Sequence, residues 1–260
     1  MKLIPTDPNA PASDVQSLEQ LLCRGDIWRG QSQPVSVRLV VDTGFAPLNE
    51  RLTGGGWPVA SLIEVCQRTA SHAEWQLLMP ALLGSQRGLV VLLNPPASPF
   101  AQSLLKEGMD LERLLIVQTK DKADFLASFL ELMRSDACDA VMAWQPQQSL
   151  SYTELRKCAL AAMEGFGIYT LFRPEAVRDQ SSPAVLRLSV QLELDQLSVT
   201  VFKQKGELTT DKGAIYLPLP PAWKGLLPHA QLDQPGKPKP KPKPRVASVT
   251  PIHGGRRGRR

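Results

Sequence analysis

TGGGWPVASLIEVCQRTASHAEWQLLMP, residues 53–80, is the stretch on which the reading of the whole chain turns. It runs from a glycine turn into an apolar segment, Ser61 to Val65, and through a polar loop. A helix pattern follows, with apolar residues at Trp75, Leu78, Met79, Leu82 and Leu83. A buried strand, a loop and a helix in that order form the frame of a phosphate-binding loop. The loop itself, Cys66 to Glu74, contains neither glycine nor lysine. Backbone amides close on a phosphate where glycine permits it, and a lysine neutralises the β and γ oxygens. The frame is present without the residues that perform its usual chemistry. Pro80 removes a backbone donor inside the helix and is expected to kink it.

The same alternation continues downstream. Short apolar runs at Leu89–Leu93, Leu114–Gln118, Ala140–Ala143 and Gly167–Phe172 read as strands. Between them lie helix patterns with their own start signals. Ser98 and Pro99 read as an N-cap and first-turn pair, and Gly108 stops that helix. Asp121 opens a helix with Phe125, Leu126, Phe129, Leu130 and Met133 on one face. Ser151 and Glu154 form a capping box. Apolar strands alternating with helices predict an α/β fold with a mostly parallel central sheet flanked by helices. The period then changes to two: Leu186, Leu188, Val190, Leu192 and Leu194 alternate with polar residues, and so do Leu197, Val199 and Val201. That pattern predicts a half-buried, C-terminal antiparallel hairpin, with a further strand near Ala214 to Leu217.

Upstream, Val37–Val41 reads as a short strand, and a short helical segment lies between Thr43 and the glycines. Ser13 caps a predicted helix over Asp14 to Cys23, with Val15, Leu18, Leu21 and Leu22 on one face. Trp28 is either a core plug for that helix or a partner contact. The chain divides into a disordered N-terminus at 1–12, a helix and anchor at 13–30, one domain at 31–225 and a disordered basic tail at 226–260.

Charge is unevenly placed. The total is +5, but nine lysines and arginines and no acidic residue lie beyond Pro235. The remainder has 21 basic and 25 acidic residues, a body of about −4. A basic tail on an acidic body points to a polyanion or an acidic protein surface as the partner of the tail. KPKPKPKPR is extended and polyproline-like, and GGRRGRR is flexible. The tail has no aromatic residue to stack on bases, so contact with DNA through it is sequence-independent and salt-sensitive. No apolar run reaches the length of a membrane helix, and no secretory signal is visible. Cys23, Cys66, Cys138 and Cys158 form no paired motif, so they read as plain buried thiols of a reducing compartment.

Thr43 to Val65, Leu114 to Val117, Asp139 to Met142 and the hairpin segment VTVFKQKG together resemble the core of the RecA recombinase. In that frame the phosphate-loop lysine falls at Ala73 and the preceding glycine at His72. The metal-binding hydroxyl falls at Glu74. The acidic strand-end positions fall near Asn94 and at Trp144. The resemblance therefore implies a RecA-like core without a functional phosphate loop: no catalytic residue, cofactor or metal. Trp28-Arg29-Gly30, then TGF followed by LN, then GGGWP and LLMP, is similar to the ImuA family of translesion-synthesis proteins. That resemblance implies a cytoplasmic, SOS-induced accessory protein in mutagenic DNA synthesis. Its partners would be ImuB, which is a Y-family polymerase homologue, an error-prone replicative-type DNA polymerase, and RecA. SulA-type inhibitors, which bind the tubulin-like division protein, are shorter relatives and the alternative.

The candidate contact residues follow from charge and exposure. In the tail they are Lys237, Lys239, Lys241, Lys243, Arg245, Arg256, Arg257, Arg259 and Arg260. Lys203 and Lys205, at the exit of the hairpin, are either solvated strand ends or a DNA or subunit contact. Trp57, after three glycines, is either packed or an exposed aromatic at a partner interface. Glu64 is either in a buried salt bridge or in a contact. Ser71 beside His72 has no carboxylate at a useful spacing and no nucleophile elbow.

Overall fold

The computed structural model describes residues 39–68, 73–84, 88–193, 196–205 and 213–219. The helix expected at 14–23, Trp28, Ser71 with His72, and the basic tail lie outside these residues. Every strand expected within the described residues forms, together with one at Trp57–Pro58 that was not expected. They are β1 (Val40–Val41), β2 (Trp57–Pro58), β3 (Ser61–Gln67), β4 (Leu89–Leu93), β5 (Leu114–Val117) and β6 (Cys138–Trp144), then β7 (Ile168–Pro174), β8 (Leu186–Leu192), β9 (Gln196–Gln204) and β10 (Ile215–Pro218). Five α-helices accompany them: α1 (Ala46–Arg51), α2 (Ala73–Gly84), α3 (Ala101–Lys106), α4 (Lys122–Arg134) and α5 (Tyr152–Ala162).

Eight strands form one sheet in the order β10-β9-β8-β3-β7-β6-β4-β5. From β8 to β5 every pairing is parallel; β8-β9 and β9-β10 are antiparallel. The result is a mostly parallel central sheet flanked by helices with an antiparallel hairpin at one end. β3, the strand of the opening stretch, lies between β7 and β8, and all seven of its residues are buried. A continuous apolar run suits a strand covered on both faces.

Two cores lie on the two faces. One gathers Leu48 of α1, Leu77, Leu78 and Leu82 of α2 and Leu104 of α3 over Ile63, Val65, Val90, Leu92 and Met142. The other gathers Phe125, Phe129 and Met133 of α4 and Leu155 and Cys158 of α5 over Leu62, Val91, Val141 and Leu171. The start signals of α4 and α5 act as expected: Asp121 accepts from the Asp124 amide, and Ser151 and Glu154 form the reciprocal capping box.

Two expectations are corrected. α3 starts at Ala101 with Phe100 as its N-cap and no side-chain cap bond, so Ser98 and Pro99 stay in the preceding turn. The hairpin is half-buried only in β9. In β8 the polar Arg187 and Ser189 are buried as well, because the segment 175–185 covers their face. No helix among the described residues is long and apolar enough to cross a membrane.

Candidate functional site

The entry to the opening stretch is tied down by a polar knot. Thr43 Oγ1 donates to Asn49 Oδ1 at 2.8 Å, Asn49 Nδ2 donates to Asp42 Oδ1 at 2.6 Å, and the Gly44 amide donates to the same oxygen at 2.8 Å. The Asn49 and Gly44 donors hold the Asp42 carboxyl below the usual carboxylate range. Gly44 has φ +80°, and a Cβ there would stand 2.2 Å from Pro80 Cβ. The glycine of the TGF turn and the proline of α2 are thus one contact, which leaves no room for a side chain at position 44.

At the carboxyl ends of the strands lie Ala73, Glu74, Asn94 and Trp144, the positions that the sequence resemblance assigned to phosphate chemistry. Ala73 is fully buried, which leaves no room for a lysine. Glu74 stands in the first turn of α2, is 2% exposed, and takes the anion's place at the positive end of the helix. Its Oε1 accepts from Trp144 Nε1 at 3.3 Å, across 70 residues of sequence. The Trp144 ring stacks on Phe172, centroids 4.8 Å apart. The head of the helix and the end of the strand are therefore neighbours, with a carboxylate on the helix and an indole donor on the strand. Glu74 Oε2 is buried with no hydrogen-bond partner among the described residues. Asn94, at φ +55°, accepts from the Thr119 amide at 2.7 Å and donates to Thr119 Oγ1 at 2.8 Å, so it joins two strand ends and faces no ligand chemistry. Asn tolerates this left-handed backbone better than most residues.

Above Glu74 is a cleft of about 320 Å³ between α2 and the 95–104 segment, lined among others by Trp75, Met79, Pro95, Pro96, Pro99, Phe100, Glu107 and Trp144. None of its lining residues is basic. A triphosphate placed here would meet carboxylates and apolar rings, the opposite of what its charge requires.

On the other face of β3, Glu64 is fully buried and resolves to a salt bridge. Arg187 Nε donates to it at 2.8 Å and Arg173 Nη1 at 3.3 Å, and the Ser182 hydroxyl donates to its second oxygen. Arg187 also binds the carbonyls of Gln180 and Val177, and the Arg173 Nε donates to Gln145 at 2.8 Å. Arg178 and Arg187 each lie 4.9 Å from the Phe202 ring centroid. Lys203 is half-buried and donates to the Ser182 carbonyl. Burial, and then Arg187, push its ammonium pKa down. Lys205 is exposed beyond it.

The structure corrects the exposed position considered for Trp57. Its ring is fully buried in the core beneath α1 and α2, and its indole N–H has no partner among the described residues. Three preceding glycines suggest exposure, but β2 pairs with β1 and carries the ring inward. Exposed apolar side chains gather elsewhere, at Leu39, Met163 and Phe166, around a groove of about 590 Å³ whose rim carries Lys203 and Lys205. This patch was not foreseen from the sequence; the apolar Met163 and Phe166, just past the end of α5, were the available signal. Cys66, Cys138 and Cys158 are free, buried thiols. Burial pushes Cys66 up to about 11 and Cys158 up to about 12. Among the described residues no three His, Cys, Asp or Glu side chains form a metal-binding group.

No protein-family model and no curated protein matches the chain. Among solved structures, the crystal structure of SulA from Pseudomonas aeruginosa aligns at 27% sequence identity and a TM-score of 0.36. The alignment covers 45% of this chain and 99% of that one.

Proposed function

We propose that this chain is a non-catalytic accessory protein, a RecA-like core that has exchanged nucleotide chemistry for protein contacts. The observation that carries the reading is the Glu74–Trp144 hydrogen bond. In the RecA-like frame it occupies the two positions at which a phosphate loop and a strand-end acid would hold a metal, with the carboxylate moved from the strand to the helix. A buried carboxylate at the head of α2 repels a phosphate group, and no lysine or arginine among the described residues lines the cleft to offset it.

The biological setting rests on the sequence resemblance to the ImuA family. In this reading the protein acts in the cytoplasm during SOS-induced mutagenic translesion synthesis. The folded body contacts an ImuB-like Y-family polymerase homologue, an error-prone replicative-type polymerase or RecA. The tail, from Lys237 to Arg260, holds DNA or an acidic partner through charge alone.

Calorimetry with Mg²⁺-ATP tests the loss of chemistry. No heat of binding is expected at millimolar nucleotide, and micromolar affinity lost on Glu74→Gln would overturn the reading. Affinity capture from damaged cells tests the partners: polymerase components support the assignment, and recovery of the tubulin-like division protein in their place refutes it.

A further inference from the structure

We propose that the cleft over Glu74 is a docking groove for a lysine-proline segment, and that its occupant is this chain's own residues 237–245. The cleft joins two features that recognise such a segment. Its walls are rings, with Trp75 on α2 and Pro96, Pro99 and Phe100 on the facing turn; Phe100 is 68% exposed. Polyproline helices dock on aromatic-lined grooves because they are already extended and lose little entropy on binding. Its charged lining residues are both acidic: Glu74 in the floor and Glu107 on the wall. Glu74 is nine-tenths buried or more, and its Oε2 has no hydrogen-bond partner among the described residues. A buried carboxylate with one oxygen uncompensated, under an apolar cleft, attracts a cation strongly because the surroundings screen it poorly.

The occupant follows from the topology. β10 runs parallel to β3, so its last residue, Pro218, lies at the same edge of the sheet as the cleft. Five strand spacings separate β10 from β6, which ends in Trp144; at ~4.8 Å each that is about 24 Å. Residues 219–236 connect Pro218 to the first tail lysine, and an extended chain of that length reaches up to about 60 Å. The segment that follows is KPKPKPKPR, four lysines and an arginine alternating with prolines. The charge complements the acidic body, the conformation suits the rings, and the tether reaches. While docked, the lysine-proline segment is withheld from other polyanions, so a competing nucleic acid or acidic partner must displace it.

The proposal assumes that the cleft holds no nucleotide, as argued above. Nucleotide binding seen by calorimetry would remove that assumption, whereas failure of the docking test alone leaves the non-catalytic reading intact. The test is carbodiimide coupling in the full-length chain at low salt, which joins a carboxylate to a contacting amine, followed by peptide mapping. Coupling between Glu107 and one of Lys237, Lys239, Lys241 or Lys243 is expected. The yield should be independent of protein concentration and fall about fivefold in Glu74→Gln and in Phe100→Ser. Phe100 is exposed, so its variant keeps the fold even if Glu74→Gln perturbs it. Tail lysines coupled only to other carboxylates, equal yields in both variants, or a yield that rises with protein concentration would each overturn it.

Discussion

Glu64 and Glu74 stand ten residues apart in the same strand-loop-helix unit, both nearly inaccessible to water, and they are treated in opposite ways. Glu64 is held by two arginines and a serine on the face of the sheet covered by α4 and α5. Glu74, on the α2 face, has one long bond from an indole and the positive end of its helix. The first is a buried ion cluster in which both carboxylate oxygens are satisfied, although Arg173 Nη2 has no partner among the described residues. The second is a buried carboxylate with one oxygen that has no hydrogen-bond partner among the described residues. A buried carboxylate with both oxygens satisfied is costly to break, while one left partly unpaired has less to lose when its charge is removed.

The largest expected effect breaks the first of the two. Glu64→Ala leaves two buried guanidinium groups without a counter-ion and should cost about 3–5 kcal/mol; urea denaturation followed by circular dichroism measures it. A loss under about 1 kcal/mol would show that Arg173 and Arg187 are held by their other acceptors alone. Next in size is Trp144→Phe, which keeps the ring over Phe172 but removes the donor to Glu74. A loss of about 1–3 kcal/mol is expected from the abandoned acceptor, read as a shift in the urea midpoint.

A third carboxylate sets the scale for an exposed pair. Glu154 is pulled down to about 2 from 4.5, chiefly by its hydrogen bond with Lys122 and then by the Ser151 amide. A depressed carboxyl pKa means that its contribution is complete above about pH 4.5 and is lost as the pH falls towards 2. The capping box and ion pair are worth about 1 kcal/mol together at this partly exposed position. Glu154→Ala should therefore flatten that part of the acid limb of the stability curve and leave the neutral region lowered by a constant amount. The smallest effect sharpens the comparison: Glu74→Gln keeps the shape and the Trp144 bond while removing the charge. Its stability should change by less than about 1 kcal/mol, or rise, where Glu64→Gln falls by several times as much. Equal losses at the two sites would erase the distinction drawn between them.

Much of the fold was legible because local signals carry it. Apolar runs gave β3 to β7, Asp121 and the Ser151–Glu154 box gave the starts of α4 and α5, and the period of two gave β8 and β9. The candidate site was legible only as a set of losses. Ala73, Glu74, Asn94 and Trp144 were each visible as the wrong residue for nucleotide chemistry, but the wrong residue for one role leaves no pattern to say which partner it has. Trp57 stayed open between core and interface because glycines before an aromatic describe backbone freedom and say nothing of the side on which the ring packs. Arg187 and Ser189 were read as a solvent face because alternation separates two faces without telling what covers each.

By itself the sequence determined the order of strands and helices, the absence of the phosphate-binding residues, and the division into an acidic body and a basic tail. Those follow from spacing, residue type and charge along the chain. Only the tertiary structure decided which strands are neighbours, that Gly44 meets Pro80, that Glu64 is neutralised from β7 and β8, and that Glu74 meets Trp144. Each of these joins residues far apart in sequence, and the free energy of a buried charge depends on partners that the fold alone brings within reach.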